Sequence, residues 1–303
     1  IRTLFEKFNK EISKGRIDLA ILVDYPGFNL ILAKMLKKRT IPCIYYITPQ
    51  IWAWGAWRTK ALRRYIKKAI TILKFEEDFL KQNRIDATSV GHPLLDEHYE
   101  FMPIRDAKSS LGLNPNIFTI ALIPGSRSLE VERMLPVMLK TAGLIKKSKD
   151  VQFIISQSPN VDEKIYKDIC KGFDAPLVKS NIYKCLNAAD FVFASSGTVT
   201  LQIAIAEKPM LITYITSSFT YLLAKIFVKI PYVGLVNIIA KKFIIPEILQ
   251  YEARPKRLAQ KILQIISSEN EMNNMRGELR RVKNSLGSPG ASKRAAQIIN
   301  KML

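Results

Sequence analysis

The chain has 303 residues, 48% hydrophobic and 9% aromatic, enough for two domains with cores of their own; this excludes a largely disordered protein. Lysine and arginine number 47 against 26 acidic residues, a net charge of +21. That balance calls for an anionic partner, whether nucleic acid, an anionic lipid surface or a phosphorylated substrate.

The chain opens at Ile1, without Met, in a charged run of helical character, and is expected to be a fragment. From Ile17 onward short apolar runs alternate with amphipathic segments. Strand Leu19 to Val23 precedes a helix from Phe28 to Lys38, and IPCIYYI precedes a helix from Arg58 to Lys68. Strand Ile70 to Leu73, a short helix from Glu76 to Gln82 and the run Ala87 to Val90 follow. The polar segment Asp106 to Asn116 reads as an interdomain linker. The alternation then resumes with Ile117 to Ile123, a helix to Lys147, Val151 to Ile155, a helix Asp162 to Lys171, Phe191 to Ala194, a helix from Thr200 and Met210 to Tyr214. Three helical segments close the chain: Pro255 to Ser268, Glu271 to Ser285 and Ala291 to Leu303. Continuous apolar strands between helices mean parallel sheets covered on both faces. The expected fold is therefore α/β, with two doubly wound, Rossmann-like domains over residues 1–112 and 113–285 and a closing helix over 286–303. The crevice the two domains face is the expected site.

Two turns in the second half have the character of anion sites. In IALIPGSRSLEVERMLP, a strand ends at Pro124 and Gly125, offers Ser126 and Arg127, and enters a helix. The first N–H groups of such a helix lack intrahelical partners, and the arginine fork matches phosphate oxygens. Phe191 to Ala194 ends in a second such turn, Ser195, Ser196, Gly197 and Thr198, with Gln202 one helical turn on. Together they are expected to grip a nucleoside diphosphate; helix capping alone is the competing account. Glu130 and Glu132 weigh against a ligand, because carboxylates in the first turns already complement the dipole.

Asp24 stands at the end of the first strand, where a carboxylate suits either a general base or an N-cap for the Phe28 helix. Trp52 and Trp54 suit a sugar or acyl pocket, or plain core. Six basic residues between Arg58 and Lys68 have no acid among them. In Phe219 to Phe243, Lys225 and Lys229 fall on one helical face, as in a helix lying at a membrane surface or a buried helix with snorkelling lysines. Cys43, Cys170 and Cys185 lie far apart, which suits buried thiols in a reducing compartment. No run is apolar and long enough for a spanning helix, and His92 and His98 have no metal-ligand cluster around them.

The pieces VDYPGFNLILAKMLKK, YYITPQIWAWGAWR, FEEDFLKQ, VGHPLLD, LIPGSRSLEVERMLP, ASSGTVTLQIAIAEKPM and TYLLAKIFVKIPYVGLVNIIAKKFIIPEILQ, taken in order, resemble the lipid-A-disaccharide synthases. These are bacterial inverting glycosyltransferases of the two-domain GT-B type. The resemblance implies transfer of 2,3-diacylglucosamine from its UDP derivative to 2,3-diacylglucosamine 1-phosphate, giving a β-1,6 disaccharide and UDP, without metal or cofactor. It makes Asp24 the important aspartate, read as the base, and Arg127 and Asn237 the matching arginine and asparagine of the donor side. It also implies a peripheral protein at the cytoplasmic face of a Gram-negative inner membrane, in lipopolysaccharide synthesis, with self-association left open. The family's N-terminal strand and glycine-rich loop have no counterpart here, and Gln202 stands where a Glu is common. Rival readings are another UDP-sugar GT-B enzyme and an inactive UDP-binding fragment. A nucleic-acid binder is disfavoured because no such module is present.

Overall fold

The computed structural model describes residues 2–15, 17–51, 58–97, 99–179, 181–217 and 231–303. These divide into two compact units: residues up to 97 together with 285–303, and residues 99–284.

The first unit holds a parallel sheet of β1 (Ala20–Val23), β2 (Cys43–Tyr46), β3 (Lys68–Thr71) and β4 (Ala87–Ser89), in that order. Side chains alternate across a strand, so each face needs its own cover. Cys43 and Tyr45 pack with Leu32, Ala33, Leu36 and Leu62, which come from helices Pro26–Lys38 and Arg58–Tyr65. The opposite face, Ile44, Ile70 and Val90, packs against Ala291 and Ala295 of helix Ala291–Asn300. The closing helix is thus part of the first unit's core and not a separate appendage.

Polar contacts fasten that helix. The Asp96 carboxylate accepts from the N–H groups of Gly290, Ala291 and Ser292 at 2.6, 3.1 and 2.9 Å. Those bonds, that of Ser292 foremost, hold its carboxyl down at about 2. Arg294 donates to the carbonyls of Val90, Ser288 and Pro289, and the N–H of His92 donates to the Leu286 carbonyl. His92 Nδ1 accepts from the Leu94 N–H at 3.2 Å, and burial pushes its imidazole down to about 4. VGHPLLD is therefore a fastener.

The second unit holds six parallel strands: β5 (Phe118–Ile123), β6 (Val151–Gln157), β7 (Leu177–Lys179), β8 (Phe191–Ser195), β9 (Met210–Tyr214) and β10 (Glu247–Leu249). Their order is β10-β9-β8-β5-β6-β7. From β5 the chain winds outward through β6 and β7, then returns to build β8, β9 and β10 on the other side. The switch point lies between β5 and β8.

The α/β class with two parallel, Rossmann-like sheets is as expected; several boundaries differ. Residues 99–112 belong with the second unit, because the expected linker begins inside helix Ile104–Ser110, which packs beside helix Ile182–Ala188. Lys108, 4% exposed, reaches the Asp190 carboxylate at 2.6 Å from that helix. The basic helix ends at Tyr65, and Lys68 starts β3, where its ammonium pairs with Asp86 at 2.9 Å. Strands β7 and β10, three residues each, have too little apolar sequence to be read in advance.

Candidate active site

The two expected anion turns follow adjacent strands. Ile123 of β5 and Ala194 of β8 are register partners, so Pro124 to Arg127 and Ser196 to Thr198 leave the sheet side by side at the switch point. Ligands of open α/β sheets bind at the carboxyl ends of strands at such a point.

In the first turn Gly125 has φ 132°, and a Cβ there would meet Glu130 at 2.7 Å, so only glycine fits. The Ser126 N–H donates to the Glu130 carboxylate at 3.1 Å, and Arg127 Nη1 donates to its other oxygen at 3.0 Å. Arg127 itself is 81% exposed. It precedes the 19-residue helix Ser128–Lys146 without capping it through its side chain. Nearby, Tyr214 at the end of β9 has its hydroxyl pushed up by burial first and by Glu130 second, with Arg127 and Arg133 opposing. The sequence marks Glu130 only as a dipole-complementing carboxylate. Here it occupies the donors an anion would use.

In the second turn the Ser196 hydroxyl donates to the Val233 carbonyl at 3.2 Å and its N–H to the Thr213 carbonyl at 3.0 Å. Gly197 and Thr198 are exposed, and Thr198 makes no side-chain cap for helix Val199–Ile205. Gln202 lies half-buried in that helix. At the end of β6, Gln157 is 4% exposed and its Nε2 has no partner among the described residues.

Asp24 follows β1 with φ 47°, and Tyr25 follows with φ 42°. Left-handed backbone is tolerated by Asp but unusual for Tyr, so this bend is held by its surroundings. Asn29 Nδ2 donates to the carbonyls of Val23 and Asp24 at 2.9 and 2.7 Å, and the Tyr45 hydroxyl donates to the Asp24 carbonyl at 2.6 Å. Burial foremost, and then the Asp24 carboxylate, push that hydroxyl's pKa up. The helix starts at Pro26 with Tyr25 as its N-cap and no capping side chain. The cap reading of Asp24 therefore fails: its carboxylate is exposed and has no hydrogen-bond partner among the described residues.

Asn237, expected on the donor side, is held inside the fold. It is fully buried, and its amide is saturated: Nδ2 donates to the Ile245 carbonyl at 2.8 Å and the Glu247 carboxylate at 2.7 Å, while Oδ1 accepts from Ile244 and Ile245 N–H at 2.9 and 3.0 Å. An amide has two donors and two acceptor positions, and all four are taken within the fold. Trp52, Trp54, Lys225 and Lys229 lie outside the described residues. Among the described residues no group of three His, Cys, Asp or Glu is arranged for a metal ion.

A sequence profile of lipid-A-disaccharide synthetases matches residues 1–302. The chain belongs to that family. Relatives include the lipid-A-disaccharide synthase of Syntrophus aciditrophicus, 38% identical over 300 residues, covering 98% of this chain and 78% of that one. Lipid-A-disaccharide synthase 1 of Legionella pneumophila is 36% identical over 294 residues, covering 96% and 77%. Among solved structures, the UDP-GlcNAc 2-epimerase of Neisseria meningitidis bound to UDP-GlcNAc superposes with a TM-score of 0.62 at 14% identity, covering 98% of this chain and 80% of that chain. Spinosyn rhamnosyltransferase gives 0.57 at 9% identity, covering 97% and 75%. At such identities the structural likeness speaks to the fold alone.

Within this lipid-A-disaccharide synthetase family member, the sequence points to Asp24, Arg127 and Asn237 but not to Glu247, which holds Asn237. Glu247 was read only as part of a motif. Its partners Val233, Gly234 and Asn237 lie 10 to 14 residues earlier, beyond any local pattern.

Proposed function

We propose that this chain joins UDP-2,3-diacylglucosamine to 2,3-diacylglucosamine 1-phosphate, forming the β-1,6 disaccharide 1-phosphate and UDP. Family membership makes it a hexosyltransferase of lipid A and lipopolysaccharide biosynthesis, with a UDP-sugar donor and a phosphosugar acceptor. The observation that carries the finer reading is the pair of glycine- and serine-bearing turns at the β5/β8 switch point, one of them presenting Arg127.

In this reading the donor diphosphate takes the Ser126 N–H and the Arg127 guanidinium, displacing the Glu130 carboxylate that bridges them. Asp24 accepts the proton of the acceptor's 6-hydroxyl. That oxygen bonds to the anomeric carbon as the carbon–oxygen bond to the diphosphate breaks, and UDP leaves with the electron pair. Attack from the opposite side inverts the anomeric configuration. Charge developing on the leaving diphosphate is met by groups already in place, where electrostatic stabilisation is most effective.

Both substrates carry acyl chains and phosphates, so the reading places the protein peripherally on an anionic surface, the cytoplasmic face of the inner membrane. The net charge of +21 supports this. No helix among the described residues is long and apolar enough to cross a membrane.

The test is disaccharide formation and UDP release from the two acylated substrates in detergent micelles. Acceptor-dependent product is expected. A folded protein that binds UDP yet makes no disaccharide overturns the reading.

A further inference from the structure

Glu247, the first residue of β10, holds together three pieces of the second unit. Its Oε1 accepts from the Gly234 N–H at 2.9 Å and from Asn237 Nδ2 at 2.7 Å, and its Oε2 accepts from the Val233 N–H at 2.8 Å. All three donors are neutral, and two belong to the bend just before helix Leu235–Ala240. The approach is close: a Cβ on Gly234 would stand 2.6 Å from Ile212 Cδ1 and 3.1 Å from Glu247 Oε1, so a larger residue there would make both side chains shift. Asn237 cannot turn away from this arrangement, because its Oδ1 is held by two backbone N–H groups.

The contact continues to the donor side. Held by Glu247 through its N–H, Val233 offers its carbonyl to the Ser196 hydroxyl at 3.2 Å, and Ser196 belongs to the turn after β8. A hydroxyl has one proton and two lone pairs. With its proton directed at Val233, Ser196 can only accept from a ligand. It is then suited to a ligand hydroxyl, and unsuited to a phosphate oxygen.

We propose that Glu247 is a positioning residue for the donor turn: by fixing Val233 it orients the Ser196 hydroxyl as a hydrogen-bond acceptor for a hydroxyl group of the bound nucleoside diphosphate sugar. The inference rests on the reading of the two turns as the donor site. Asn237 then acts on the donor through Glu247 and Val233, without touching it.

Glu247→Gln is the informative change, because it keeps the shape while placing an NH2 where three N–H donors converge, so at least one loses its acceptor. One such hydrogen bond corresponds to about a five- to tenfold effect. The expected result is a rise of that size in the KM for the UDP-sugar, with the acceptor KM unchanged. Ser196→Ala should do the same, and the double variant should be no worse than the more affected single one, since both break a single path. Unchanged donor KM in a folded Glu247→Gln protein, or effects that multiply in the double variant, overturn the proposal. Should Glu247→Gln fail to fold, Glu247→Asp replaces it with the same expected and overturning results, its shorter side chain keeping the charge but losing reach to Val233. Arg127→Ala separates the two levels. If it leaves UDP binding intact, the donor-site reading fails; if it abolishes UDP binding while the Glu247 variants keep their donor KM, only the positioning role fails.

Discussion

The Asp24 bend of the first unit and the Asn237 clamp of the second are opposites. Asp24 sits on left-handed backbone whose carbonyl is held by Asn29 and Tyr45, while its carboxylate is exposed and without a hydrogen-bond partner among the described residues. Asn237 is fully buried with every amide position occupied. A polar side chain with spare capacity on a held backbone is a candidate for chemistry, whereas a saturated one is part of the frame. Family resemblance names both residues, Asp24 as the base and Asn237 on the donor side, but does not tell an open side chain from a saturated one.

Substitutions can break this contrast. Asp24→Asn suits the left-handed bend and keeps the size of the side chain, so the melting temperature should stay near that of the parent. Disaccharide formation should fall about a thousandfold, the range for losing a general base. A folded variant with undiminished turnover would remove Asp24 from the mechanism. Asn237→Ala should behave in the reverse sense. It leaves the Ile244 and Ile245 N–H groups and the Glu247 carboxylate short of partners, for a loss of about 3 kcal/mol in denaturant unfolding. If stability is unchanged while activity vanishes, the clamp assignment is wrong.

Smaller effects sharpen the picture. His92 has its pKa lowered to about 4 in the folded chain, against an ordinary value of 6.5. The unfolded chain therefore binds a proton that the folded chain refuses. The stability contribution is complete above about pH 6.5 and is lost as pH falls toward 4, by at most about 1.4 kcal/mol per pH unit. His92→Asn should flatten that part of the stability profile, and an identical slope in parent and variant would contradict it. Smallest of all, Glu130→Gln removes the carboxylate that holds Ser126 and Arg127 and that the proposed donor diphosphate would displace. UDP should bind about threefold tighter by calorimetry, from relief of one exposed like-charge contact. Weaker binding would show that Glu130 organises the turn instead of competing for it.

Much of the fold was legible because parallel strands buried on both faces must be apolar throughout, as in Ile120 to Ile123 and Phe191 to Ala194, all buried in the structure. The two turns were legible for a similar reason: glycine at position 125 and serines at 126 and 196 interrupt those runs where a backbone must bend. The fasteners were not. Asp96 caps a helix 194 residues downstream, and Arg294 reaches back 204 residues to Val90, separations no window on the sequence spans. The helix Ile104–Ser110 was hidden by the polar composition of its exposed side, although Ala107 and Lys108 are buried.

The closing helix also bears on the order in which the protein can assemble on the ribosome. Strands β1 to β4 are synthesised before the second unit, yet Ile44, Ile70 and Val90 on their second face gain Ala291 and Ala295 only after the residues of the second unit have been made. The usual sequence, in which the leading domain matures while the trailing one is still being made, is inverted. The second unit can close as soon as its own residues are out. The first must wait with an oily sheet face in water, the kind of surface that nascent-chain chaperones shield.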